Sequence, residues 1–582
     1  MRFTASLLYA VSTAVLLGCA LAFSPQGLTA GGAWLALAGG TGVGALALWR
    51  ERARLLTIPR LNIWDGAVLT VFALFALRAF LWLVYRDEDE IKVLSPNNLG
   101  DLSLHITYIR HFAAGAPFWP ENPIFAGKPL TYPIGMDLFN ALLVWTGVDI
   151  LRAFIWVGLF GSACTAVALW KWGRAFAVAG FLFAGGLWGF DFLHRWQLLD
   201  YQSDMAWDRK IEVAWKSLPL AIFVTQRGML FALPAGLLLL TSWRARFLNA
   251  EGSDSQPGSR SHLPVWGETL LYATMPIFHL HTFLFLSVMA AAWFIALPAA
   301  RRHLGTVVGI AFIPATAQVW YVTGGFTGAS MLGWKPGWMQ GNEGFFVFWL
   351  RNFGVLPLLI GALIFTIVRR RRCDTATLTY PALAVFLLCC FVKFAPWEWD
   401  NTKLMLWSYL VVLPALWSEL LVRWPEWART LACVALFFSG GISLFGGLSN
   451  GYSSFPIATR SEVDGVGDAL RSIPITERFV AHPAYNHPLL LNGRVLAMGY
   501  EGHVASHGLD WAPRKEAVER ILHGKPGWSE TARQLEVRYL FWGREEVENY
   551  PDSPQPWRES ARSIIKAEWG EVFDLTQPRL EK

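Results

Sequence analysis

Apolar runs of about 20 residues, the length of helix that crosses a hydrocarbon core, recur along this chain and constrain it more than any other feature. They begin near Ser6, Gly31, Trp64, Asp149, Ala175 and Pro219, and again near Glu268, His281, Leu304, Phe345, Ala376, Leu404 and Arg429. The runs predict a polytopic α-helical membrane protein with about thirteen transmembrane helices. The stretch from Glu268 to Pro298, about thirty residues, is too long for one upright span and reads as a helical hairpin with its tip near Pro276 to His281. The first run, behind Arg2, is read as a retained span and not a cleaved signal, because a second run follows at once.

Charge sets the orientation. Only 16% of the 582 residues are charged, against about 25% in soluble proteins. From Phe455 onward there are 16 basic and 19 acidic residues, while the preceding 454 residues hold 33 and 24. The basic excess therefore belongs to the apolar part. It falls in short clusters: Arg50/Arg52/Arg54/Arg60, Lys171/Arg174, Arg244/Arg246, Arg301/Arg302, Arg369 to Arg372 and Arg423/Arg429. Clusters between spans mark cytoplasmic loops, whereas a nucleic-acid binder carries a dense basic stripe on a soluble fold, so nucleic acid is excluded as a partner. This parity puts the N-terminus inside and residues 86–135, 190–218, 323–344, 393–403 and the tail outside, as in a bacterial inner (plasma) membrane. Residues 1–454 form the membrane domain with external loop 86–135. Residues 455–582 form a small extracytoplasmic domain, α/β or α+β, from the strand-like runs FVAHPAY, VLAMGY and VRYLFW and a helix Arg514 to His523. The six cysteines all lie in or beside apolar runs, so the tail holds neither an internal disulfide framework nor a cysteine zinc site. The stretch EGSDSQPGSRSH after Leu248 reads as a polar linker.

The external loop opens with DEDE, Asp87 to Glu90, read as a solvated boundary of a span, and continues into NLGDLSLHITYIRHFAAG. There Asp101 and His105 are four apart, on one face of a helix whose apolar positions suit the membrane surface. A carboxylate so placed can serve as a base or simply satisfy the first backbone N–H groups of the helix. AGKPLTYPIGMDLFNALL follows, with Lys128 and Tyr132 in a rigid extended segment.

Asp101, the helix, Gly115 and AGKPLTYPIGMDLFNALL together resemble the first external loop of the GT-C superfamily of membrane glycosyltransferases, including the aminoarabinose and protein mannosyl transferases. The resemblance covers roughly Asp101 to Leu143. It implies a GT-C-like fold and makes Asp101 the catalytic carboxylate, with His105 beside it. In many relatives the loop follows the first span, and here it follows the third. The span count and outer tail also resemble oligosaccharyl-type transferases, but the tail has no WWDYG-like sequence.

Other polar groups expected on the outer face supply substrate contacts. His279 and His281 sit in MPIFHLHTF, inside an apolar run where ionisable groups tend to line a cavity. With Asp101 or Asp191 they would begin a metal site, so a divalent metal is an open cofactor. Arg195, Arg227, Lys335 and Lys403 are candidate cations for a lipid-linked phosphate, with Arg351 and Asn352 further candidates and Asp400 and Asn401 beside Lys403. In the tail, His482, His487, Tyr500, Glu501, His503 and His507 fit solvent-facing loops better than a metal or sugar cleft, and Trp511 and Trp528 fit a small core better than sugar stacking. No Gly-rich phosphate loop for a cytosolic nucleotide sugar is present. The expected activity is therefore transfer of a sugar from a polyprenyl-phosphate-linked donor to a glycan, lipid or protein acceptor outside the bilayer, with inversion. The alternative is a transporter or flippase of a lipid-linked glycan precursor, which many spans and intramembrane histidines also suit.

Overall fold

The computed structural model describes residues 1–51, 60–248, 262–327, 332–449 and 454–578. Arg52, Arg54 and most of the polar linker lie outside the described residues.

Seven described helices are long and apolar enough to cross a membrane: Arg2–Ala22, Ala30–Arg50, Ile63–Leu81, Ile150–Phe183, Pro298–Val322, Glu398–Arg423 and Glu426–Gly447. An eighth arises if Phe345–Phe353 and Leu356–Arg370, which meet at 89°, form one span. The expected thirteen is therefore corrected to seven or eight by length and composition. The cause is backbone geometry inside the apolar runs. The run from Ala175 lies beyond a break at Gly173 and Arg174, where Arg174 has φ 56°, and only the nine residues to Phe183 remain helical. The run from Pro219 is a π-helical turn, Leu218–Phe223, followed by Met229–Phe247, whose last turn carries Arg244 and Arg246. The predicted hairpin is two short helices, Val265–Phe278 and Leu280–Ala296, meeting at one extended residue, His279. Outward faces of the long helices remain apolar, as at Ile310, Phe312 and Ile313, which suits lipid.

The chain forms two compact units. Unit 1 holds residues 1–14, 38–83 and 154–453 and is helical apart from a two-stranded ribbon, Gly333–Trp334 with Val392–Lys393. The break at Arg174 is held there: its guanidinium meets the buried Asp65 carboxylate at 2.5 Å, and Asp65 also accepts from Ala175 N.

Unit 2 gathers residues 15–37, 84–153 and 454–582. It thus joins parts of the first two helices and the external loop to the tail. Two sheets run through it. Val84–Asp87, Glu90–Val93 and Phe455–Thr459 form an antiparallel three-stranded sheet. DEDE is solvent-exposed, as expected, and forms the turn of a hairpin: the Asp89 carboxylate accepts from Ser461 N and Oγ at 2.9 and 2.5 Å, holding the turn to the next helix. The second sheet is mixed, in the order Val495–Leu496, Arg478–Val480, Tyr539–Gly543, Gly570–Pro578, Ala561–Ala567. Its first three strands are parallel and its last three antiparallel. The predicted strands and helix of the tail are all present, the helix as Ala512–Leu522.

Candidate active site

The loop helix Leu99–Ala113 carries Asp101 and His105. It was expected to lie along a membrane surface. Instead ten of its fifteen residues, Leu102 to Ile109 with His111 and Phe112, are buried within unit 2, because Gly135–Trp145 packs on one side and Pro488–Leu491 of the tail on another. Burial on every face forces its polar side chains to find partners. His111 Nδ1 donates to the Gly493 carbonyl at 2.8 Å. His105 Nδ1 lies 2.9 and 3.0 Å from the two oxygens of Asp137, both residues buried. A carboxylate only accepts, so Nδ1 carries the hydrogen and Nε2 faces away as an acceptor, the arrangement by which a carboxylate orients a histidine.

Asp101 sits one helical turn before His105, in the first turn and partly exposed. Gly100 beside it makes a close approach: a Cβ there would stand 3.1 Å from His503 Nε2. The His503 ring thus lies over the start of the loop helix. Tyr132 stacks on His507 at 5.2 Å and 9°, and also meets Tyr108 at 5.3 Å and His105 at 6.1 Å. The Tyr108 hydroxyl and His507 Nε2 lie 3.4 Å apart, within hydrogen-bond reach. Burial, helped by neighbouring histidines, pushes His503 down to about 3, and burial alone brings His507 to about 4; both are neutral at ordinary pH. His507 Nδ1 and both amide atoms of Asn98, just before the helix, are buried with no hydrogen-bond partner among the described residues. Unit 2 therefore brings together three of the predicted residues, Asp101, His105 and Tyr132, with Tyr108, Asp137, His503 and His507. Lys128 is exposed on its turn.

The remaining predicted residues belong to unit 1. His279 occupies the helix break, where Nδ1 accepts from Thr282 N at 3.2 Å and meets Thr282 Oγ1 at 2.8 Å. The hydrogen is then on Nε2, buried and without a partner among the described residues. His281 is 5.7 Å from it, ring to ring, and within electrostatic range of Lys403 and Asp400; these two pair at 3.0 Å. Arg227 is fully buried with its guanidinium 4.6 Å over Phe154. Gly228 after it is tolerated only as glycine, since a Cβ would strike the Phe278 carbonyl, and this contact sets the Arg227 segment against the His279 break.

Three predicted groups do other work. Asn401 spends its amide on the backbone of Phe394, Cys389 and Val392. Lys335 pairs with Glu398 at 2.9 Å. Arg195 pairs with Asp191 at 2.5 Å and lies over Trp207, so Asp191 is committed. Asn352 likewise holds Trp215 N and the Phe348 carbonyl. In the tail, the His482 backbone N–H and the His487 ring both meet the buried Glu546, and Trp528 packs on Trp557. Among the described residues no three His, Cys, Asp or Glu side chains gather as metal ligands.

Sequence reasoning quoted Asp137 without singling it out. Its signal was an acid inside the apolar run MDLFNALL, where burial without a partner would be costly.

No protein-family model matches the chain, and no curated protein is similar to it in sequence. Among solved structures it is similar to the apo crystal structure of the Archaeoglobus fulgidus oligosaccharyltransferase, with 11% identity and a TM-score of 0.46 over 84% of this chain and 70% of that one. The same enzyme tethered to an acceptor peptide aligns with 13% identity and a TM-score of 0.38 over 89% and 74%. Neither supplies a role for any residue of this chain.

Proposed function

We propose that this chain is a GT-C-type membrane glycosyltransferase that moves a sugar from a polyprenyl-phosphate-linked donor to an extracytoplasmic hydroxyl-bearing acceptor. The observation that carries the reading is the loop helix itself: a partly exposed Asp101 one turn before a buried His105 whose ring is oriented by Asp137. That is a base with a fixed neighbour, supported by a shell of neutral aromatic and imidazole rings.

In the proposed reaction the acceptor oxygen attacks the anomeric carbon, the bond from that carbon to the phosphate oxygen breaks, and the acceptor proton passes to Asp101. Direct displacement inverts the anomeric centre. His105 Nε2 accepts a hydrogen bond from the acceptor or sugar and holds it toward Asp101. Tyr132, stacked on His507 and tilted against Tyr108, is the aromatic contact for the sugar. Within unit 1, the buried Arg227 guanidinium and the His279 Nε2–H are fixed donors suited to an anion, with Lys403 a nearby cation for His281. The chain would stand in a bacterial inner membrane, N-terminus cytoplasmic and residues 455–582 extracytoplasmic.

The test is transfer of radiolabelled sugar from a panel of polyprenyl-phosphate sugars in membranes carrying the wild type or Asp101→Asn, with and without chelator. Transfer by the wild type and its loss in the variant at equal abundance is expected. Labelled lipid crossing the bilayer with no transfer would replace this reading by the flippase.

A further inference from the structure

Unit 2 contains a polar concavity on the far part of the loop helix from Asp101. It is an open cleft of about 820 Å³ between the end of that helix, the helix Arg460–Ala469 and residues 471–475, within the ~300–1,000 Å³ range of small-ligand sites. Nothing in the proposed transfer uses it.

Its walls are built of fixed polar groups. Arg494 closes one side, its guanidinium donating to the carbonyls of Leu470, Ile473 and Pro474, which makes the 470–474 rim rigid. The Asn492 amide is oriented by its Nδ2, which donates to Val463 O and Pro488 O at 2.9 Å each. Its Oδ1 then lies against Gly467, where a Cβ would crowd it, and is left as an acceptor. Opposite, Arg110 offers a half-buried guanidinium that makes no ion pair or hydrogen bond among the described residues, with Asp464 and Asp149 in electrostatic range. Ala113, Ala114 and Val144, with Ile473, Pro474 and Ile475, supply the apolar part of the lining.

The charges nearly cancel. Arg471 pairs with Asp468 at 2.7 Å, Arg494 is occupied by carbonyls, and Arg110 faces Asp464. A polyanion would need an excess of free cations, and an apolar peptide side chain would leave the Arg110 guanidinium and Asn492 Oδ1 unpaired. Interleaved fixed donors and acceptors of low net charge match a ligand carrying both on every face. We infer that this cleft binds a neutral, hydroxyl-rich glycan segment. The assignment rests on the cleft alone and holds whether or not the chain transfers sugar.

The experiment is binding of neutral hexasaccharides (maltohexaose, mannohexaose, chitohexaose and isomaltohexaose) to the purified full chain in detergent, measured by calorimetry without donor. Arg110→Leu removes the free donor, and Ser472→Trp, at an exposed rim position, fills the cleft without touching the core. Saturable binding of at least one sugar is expected, weakened about tenfold or more by Arg110→Leu, as for loss of a hydrogen bond to a charged group, and abolished by Ser472→Trp at an unchanged thermal midpoint. No binding by any of the four, binding that Ser472→Trp leaves intact, or binding of a heparin hexasaccharide in their place would overturn the inference. Sugar transfer is assayed separately in membranes, so failure of the cleft and failure of the transferase reading are told apart.

Discussion

At the residue scale the decisive pair is His105 with Asp137. Asp101 and His105 were legible because four-residue spacing on a helix is a local property. Asp137 was not, because its partner lies 32 positions away and only packing of two helices shows that a buried imidazole satisfies the acid. Two roles follow, and they differ in test. Under the proposed mechanism Asp101→Asn should lower the turnover of transfer by about 10²–10⁴-fold. Asp137→Asn should cost less and should also move the pH–rate profile, since the tautomer and basicity of His105 change; an unaltered profile would leave Asp137 as packing only.

The second residue-scale prediction concerns pH. Burial pushes His111 and His507 down to about 4 and His503 to about 3, while the unfolded imidazole titrates near 6.5. Between these values the unfolded chain binds more protons, so stability rises with pH across that window and is lost as pH falls from about 6.5 toward 4. Hydrogen exchange of the 99–113 amides should accelerate over that interval. His111→Gln, which keeps a donor for the Gly493 carbonyl, should flatten the response.

At the element scale, breaks in helices do the positioning. His279 ends one helix and caps the next, and Gly228 lets the Arg227 segment lie against that break. Gly228→Val is expected to destabilise the protein by about 1–3 kcal/mol, the range for overpacking, and to lower the thermal midpoint while reducing transfer. An unchanged midpoint would mean the contact relaxes freely. The composition MPIFHLHTF pointed to a polar interruption of an apolar run. It could not show that one histidine is consumed as a cap while its Nε2–H stays available, since that depends on the φ of −161° at His279. The hairpin at DEDE shows the same limit: four acids in a row read as a solvated boundary but do not show the strand from residue 455 onward that pairs beside them.

At the scale of the whole molecule, orientation is the testable property. Cys373 is exposed at the foot of the Arg369 to Arg372 cluster, on the side assigned to the cytoplasm by positive charge. A membrane-impermeant maleimide should label it in inverted vesicles and not in intact spheroplasts, whereas a cysteine introduced at Ser506, exposed in unit 2, should show the reverse. Labelling of both from one side would invalidate the proposed topology.

Amino-acid order by itself determined that this is a polytopic helical chain with a polar, mixed α and β tail, and that a carboxylate and a histidine share one face of a loop helix. Apolar run length, charge clustering and helical spacing are local and survive without coordinates. Tertiary structure alone decided how many runs are long enough as helix to cross a bilayer, because run length does not record the break at Arg174. It also decided that the external loop and the tail build one compact unit. That union is stabilised by contacts between residues hundreds of positions apart, such as Asp89 with Ser461 and His111 with Gly493, and buried polar groups find such partners only when the chain has closed around them.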